Sequence, residues 1–246
     1  MNRRTVTQIL ETSDKVHRIP RRPDEPLKDF PLYTIPEAAI YLAIPERTLR
    51  YWVLDHPVWR VSGREFKTPL LSFRDVAQAY YVEIVRKYFG LTLPKTREVL
   101  EMAKLESRSR YPLLKPNIKL FFKQILMDKP ARKSQPRRVI DLTQHRQLAI
   151  GEIIDHFSTR VRWNLRGEPT QIFPWRYWNV GDETRPVSID PDVMSGRLVI
   201  TGTRIPVQTI MQRKESGEDI PRISSDYHLP QVVVEQALRH LVPQAA

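Results

Sequence analysis

The run Thr34-Ile35-Pro36-Glu37 constrains this chain more than any other short segment. A Thr hydroxyl can accept the amide three residues on, and a Glu there can reach back to the amide of the Thr. That reciprocal pair fixes a helix start, and Ala38, Ala39 and Leu42 supply the helix's apolar face. Ala43-Ile44-Pro45 breaks it, and Pro45 suits the opening of a second helix from Glu46 to about Leu54. Two short helices joined by so brief a turn form a helix-turn-helix unit. Next, Val58-Trp59-Arg60-Val61-Ser62-Gly63-Arg64-Glu65-Phe66-Lys67 places aromatic and β-branched residues around a Ser-Gly turn, the pattern of a hairpin and, here, of a wing. Ser72-Phe73-Arg74-Asp75 is a second capping arrangement. It opens a helix with Val76, Ala79, Tyr80, Ile84 and Val85 at helical spacing, closed by Gly90. Thr92 to Lys95 opens another, with Val99, Leu100 and Ala103 inward.

Charge says what kind of partner to expect. The 246 residues carry a formal net charge of +12, which points to a polyanion, usually nucleic acid. The charge is uneven: from Lys104 to Arg138 eleven Lys or Arg face two acids, whereas from Gly217 to Ala246 two Arg face four acids. The first half is thus the phosphate binder, and the C-terminal part is better suited to a protein partner. There is no cysteine, which removes disulfides, zinc–thiolate sites and thiol catalysis, and fits a cytoplasmic setting. No apolar run has the length of a membrane span, and Met1 to Pro31 lacks a signal-peptide core, so no membrane partner is expected. Residues 1–31, with five arginines and several prolines, read as a flexible basic arm.

The remainder divides into three. Residues 107–138 read as a basic connector holding a short helix, Ile118 to Leu126. Residues 139–186 read as a small α/β segment. It has a strand near Arg138 to Leu142, a helix over Leu148 to Phe157, and a hairpin of Val161–Leu165 and Thr170–Phe173 about Arg166-Gly167. From 187 to 246, Leu198-Val199-Ile200 suggests a strand. Three helices follow, marked by Val207, Ile210 and Met211, by Ile220, Ile223 and Tyr227, and by Val234, Ala237, Leu238 and Leu241. The expected class is mainly α (α+β): an N-terminal winged helix-turn-helix over 32–106, a small central α/β segment and a small C-terminal helical domain.

Tyr33-Thr34-Ile35 with Ala38 and Ala39, then Arg47-Thr48-Leu49-Arg50-Tyr51-Trp52, then Gly90-Leu91-Thr92-Leu93 with Arg97-Glu98-Val99-Leu100, resemble the DNA-binding domain of MerR-type regulators. Where that family commonly has a capping serine and then proline, this chain has Pro45 and Glu46, and the family's long dimerising helix is not evident. Ile189-Asp190-Pro191-Asp192, with Gly196 to Ile200 and Gly202-Thr203-Arg204-Ile205-Pro206, resembles the C-terminal domain of VapB-type antitoxins. Together the resemblances imply an antitoxin of a type II toxin–antitoxin pair. Such a protein binds operator DNA, as a homodimer within a higher-order complex, and restrains a PIN-like ribonuclease. The alternative is a stand-alone MerR-like regulator that senses a small ligand.

On DNA, Arg47 and Arg50 can read guanine, Thr48 a thymine methyl, and Tyr51 can donate to phosphate. Leu49 and Trp52 are expected in the core. Arg60, Arg64 and Lys67 would grip phosphates from the wing. For the toxin, the candidates are Arg197 and Arg204, with Trp175 and Trp178 as aromatic anchors. Arg204 has a second possible role, pairing with Asp190 or Asp192 to hold its own turn. No catalytic set is expected: Glu152, Asp155 and His156 have ligand-like helical spacing, but no second cluster completes a metal site, and there is no phosphate-binding glycine loop. Cofactor and metal are both expected to be absent.

Overall fold

The computed structural model describes residues 6–14, 25–89, 91–114, 159–174 and 184–241. The fold is mainly helical with short antiparallel strand pairs. No helix among the described residues is long and apolar enough to cross a membrane.

The N-terminal unit follows the local signals closely. Strand β1 (Pro31–Thr34) leads into α2 (Ile35–Leu42), after the first helix α1 (Val6–Asp14). The capping box forms as expected, with Thr34 and Glu37 exchanging both hydrogen bonds. Ala43 ends the helix in a left-handed conformation. Helix α3 (Glu46–Arg50) then starts at Pro45, which offers no side-chain cap, and runs on as a π-helical turn, Tyr51–Asp55. Strand β2 (Leu70–Ser72) pairs antiparallel with β1 and feeds α4 (Phe73–Phe89); α5 (Leu93–Ser107) follows. Leu49 and Trp52 are in the core, and Arg86 lies 5.1 Å over the Trp52 ring.

Asp75 organises the segment between α3 and α4. Fully buried, it accepts from the Ser72 amide (2.9 Å), the Ser62 amide (2.9 Å) and the Trp59 indole (3.0 Å). A buried carboxylate is tolerated where its lone pairs are met, and these donors meet them. One consequence corrects the sequence reading. The hairpin does not turn at Ser62-Gly63: Val58, Trp59 and Val61 are drawn into the core and Ser62 is held by Asp75. Gly63 instead bridges Leu70, and the turn falls between them.

The C-terminal unit is built on β5 (Val187–Ser188) and β6 (Val199–Ile200), which pair antiparallel. Val199 also bridges Pro206, so β6 is flanked on both sides. Helices α6 (Val207–Glu215), α7 (Ile220–Asp226) and α8 (Gln231–Leu241) close over it, with the expected apolar residues Val207, Ile210, Ile223, Val234 and Ala237 inward. Asp219 caps α7 by accepting from the Arg222 amide at 2.9 Å.

Three expected boundaries give way. Residues 1–31 are not simply an arm: α1 packs on α2 and α6 with Leu10 buried, because Val6, Ile9 and Leu10 form an apolar face. The start of the expected connector is core, with Tyr111 to Leu114 buried. The hairpin of β3 (Val161–Trp163) and β4 (Pro169–Ile172) forms as expected, but Ile172 and Ile189 exchange two 2.9 Å hydrogen bonds, so it extends the C-terminal sheet. The same hairpin is tied to the N-terminal unit: Glu168 forms ion pairs with Lys28 and with Arg74, the latter at 2.8 Å. The units share one core running from Leu10 to Leu241. The strand near Arg138, the helices expected at 118–126 and 148–157, and the ligand-like trio Glu152, Asp155 and His156 lie outside the described residues.

Candidate nucleic-acid interface

Helix α3 turns Leu49 into the core, and the 3.6-residue period therefore puts Arg47 and Arg50 outward. Both are exposed, Thr48 is half-buried beside them, and Tyr51 is 38% exposed. The Tyr51 ring rests on His56, centroids 4.5 Å apart, which leaves its edge toward solvent. The end of this helix is held: Val58 donates to the Trp52 carbonyl (2.8 Å), and Arg97 of α5 donates to the His56 carbonyl (2.7 Å).

The wing begins at that same point. Arg60, Arg64 and Lys67 are all exposed. The backbone at Arg60 is fixed by Arg110, whose guanidinium donates twice to the Arg60 carbonyl at 3.0 and 3.2 Å. Arg47, Arg50, Arg60, Arg64 and Lys67 form no ion pair with any other described residue. Five unneutralised cations on a recognition-type helix and the loop that follows it make a surface suited to phosphate.

The second surface centres on the turn Gly202 to Pro206. Gly202 has φ +78°, a conformation that side chains resist. The Thr203 hydroxyl donates to the Ile200 carbonyl (2.8 Å) and accepts from the Ile205 amide (3.0 Å), and the Ile200 amide donates to the Ile205 carbonyl (3.0 Å). Arg204 therefore projects, exposed, from a corner closed by its neighbours. It pairs with neither Asp190 nor Asp192; the cation that acts on Asp190 is Arg162. Burial raises the Asp190 carboxyl above its usual range more than Arg162 lowers it.

Arg197 is placed differently. Half-buried, it lines a narrow crevice with Leu10, Tyr41, Leu198, Pro206 and Leu241, the seam where the two units meet. Nothing in the sequence marked this seam. It includes Tyr33, whose hydroxyl is pushed well above its ordinary pKa, chiefly by burial and then by Glu37 and Asp190. It also includes Tyr41, raised by burial and by Glu37. Trp175 and Trp178 lie outside the described residues. Among the described residues no cluster of three His, Cys, Asp or Glu could hold a metal.

Residues 187–240 match the family model described as "Protein of unknown function (DUF433)". That span is the C-terminal unit and well under half of the chain. No curated protein matches. The X-ray crystal structure of Rv2018 from Mycobacterium tuberculosis is similar, with a TM-score of 0.63 at 20% sequence identity. The likeness covers 85% of this chain and 98% of that one. At such identity it is a likeness of fold, and it extends across both units.

Proposed function

We propose that the chain is a DNA-binding antitoxin: α3 and the wing bind operator DNA, and the C-terminal unit holds a PIN-like ribonuclease. The observation that carries the DNA half is the set of exposed, unpaired cations Arg47, Arg50, Arg60, Arg64 and Lys67 around Tyr51. Arg47 and Arg50 supply base or phosphate contacts, Thr48 and Tyr51 complete the helix surface, and the wing cations grip the backbone. A homodimer would present two such helices to a palindrome.

The toxin half rests on the resemblance of the C-terminal residues and on Arg204. A cation held out from a closed turn fits the carboxylate-rich metal site of a PIN-like ribonuclease. Arg197, at the seam, supports the turn from within. A toxin that bridges two antitoxin dimers would raise their effective concentration on DNA, giving autoregulation.

Tagged purification from the native host, with the co-purifying protein identified by mass, tests this reading. The expected partner is a small protein with a carboxylate-rich metal site, toxic when made alone and harmless when made with this chain. Recovery of the chain alone, with no protein partner at stoichiometric level, overturns the antitoxin half.

A further inference from the structure

Beneath the wing lies a cavity of about 420 Å³, bounded by the wing root and by helices α4 and α5. Val58, Val61, Leu100 and Pro112 supply apolar wall, and Trp59 adds an aromatic one. Gln78 lines it from α4. This residue is fully buried, and neither its amide oxygen nor its amide nitrogen meets a protein partner. One turn earlier on the same helix, Asp75 has its needs met from several sides, so the orphaned amide is not a general feature of this core. Buried amides are nearly always paired, and leaving both ends unmet is costly. The volume falls in the range of small-molecule sites, roughly 300–1,000 Å³.

We propose that this cavity binds a small planar molecule with an adjacent N–H donor and carbonyl acceptor, a lactam or carboxamide edge. A carboxamide presents a donor and an acceptor side by side, so its best complement is the same pair reversed. The apolar walls suit a flat ring and exclude a bare ion. Charges at the mouth are of both signs, Glu65 and Glu101 against Lys104 and Arg110, so they do not demand a strongly charged ligand. The site does not depend on what α3 binds, although an occupant would touch the root of the wing.

Calorimetric titration and thermal shift of the full chain test it. The probes are uracil (a lactam) and nicotinamide (a carboxamide). Their controls, 1,3-dimethyluracil and N,N-diethylnicotinamide, lack the donor. The expected result is binding of at least one parent probe with a Kd of about 1 mM or tighter. Its alkylated control should bind at least about tenfold more weakly, a loss of about 1.4 kcal/mol. Gln78→Leu removes the orphaned polar atoms at similar size. It should keep or raise the melting temperature while losing the probe. The proposal is overturned if neither parent binds, if an alkylated control binds as well as its parent, or if Gln78→Leu binds undiminished. The alkylated controls read the wild-type protein, so the test does not depend on that variant folding.

Discussion

The His240 ring, on the last helix, hydrogen-bonds the backbone carbonyl of Tyr41 at 2.7 Å inside the core. Tyr41 lies in the last turn of α2, where carbonyls have no partner within the helix. A side chain from the far end of the chain therefore caps the first helix of the helix-turn-helix. His240→Ala should cost about 1–3 kcal/mol, since a buried carbonyl loses its donor. Urea unfolding measures this, and the N- and C-terminal units should still unfold in one transition. A loss below about 0.3 kcal/mol, or two separate transitions, would contradict the shared core.

The same seam governs truncation. A chain ending before Val187 uncovers Leu10, Tyr33 and Tyr41 and removes the donor to the Tyr41 carbonyl. Residues 1–186 should therefore lose cooperative thermal unfolding, rather than survive as an independent DNA-binding domain. Circular dichroism and proton NMR on the fragment decide the point. A sharp transition at the melting temperature of the full chain would show that the units are separable.

Two glycines separate steric fit from backbone freedom. Both have positive φ, +80° at Gly196 and +78° at Gly202. A Cβ on Gly196 would lie 2.0 Å from the Tyr33 hydroxyl, whereas one on Gly202 meets nothing within 4 Å. Gly202→Ala should cost about 1–2 kcal/mol from φ alone. Gly196→Ala should cost more, with part of the excess regained in a Tyr33→Phe background. Equal losses in the two variants would show that Tyr33 does not abut this turn.

Glu168 ties the β3–β4 hairpin to Lys28 and Arg74, and its carboxyl is pulled from 4.5 down to about 2, first by the Lys28 hydrogen bond and then by that of Asn164. A depressed folded pKa gives stability that is complete above the unfolded value and lost as pH falls toward the folded one. Wild type should thus lose more stability than Glu168→Gln between pH 4.5 and about pH 2. The group is partly solvated, so the difference at neutral pH should be only about 0.5–1 kcal/mol. Parallel stability–pH curves for the two proteins would remove Glu168 from the clamp.

Local signals were legible and distant ones were not. The boxes at Thr34–Glu37 and Ser72–Asp75 use residues three apart, and both form. The inward faces of α3 and of the C-terminal helices follow from spacing alone. The wing turn was misplaced because Val58, Trp59 and Val61 read equally well as strand or as core, and Asp75, thirteen residues beyond Ser62, decides it. Helix α1 was hidden among arginines and prolines, though Val6, Ile9 and Leu10 carried its period. The contact of His240 with Tyr41 spans 199 residues and leaves no local trace. At the candidate interface the exposure of Arg47 and Arg50 was readable from Leu49, whereas the position of Arg197 at the seam was not.

Binding of a fluorescent duplex from the chain's own upstream region, followed by anisotropy across a salt series, tests the central claim most directly. Wild type should bind with log K falling linearly against log salt. Arg50→Ala should weaken binding by about 1–3 kcal/mol if it reads a base, and Lys67→Ala should lower the salt slope by about one. Binding that is absent, or equal for wild type and both variants at every salt concentration, would contradict the assignment of α3 and the wing to DNA.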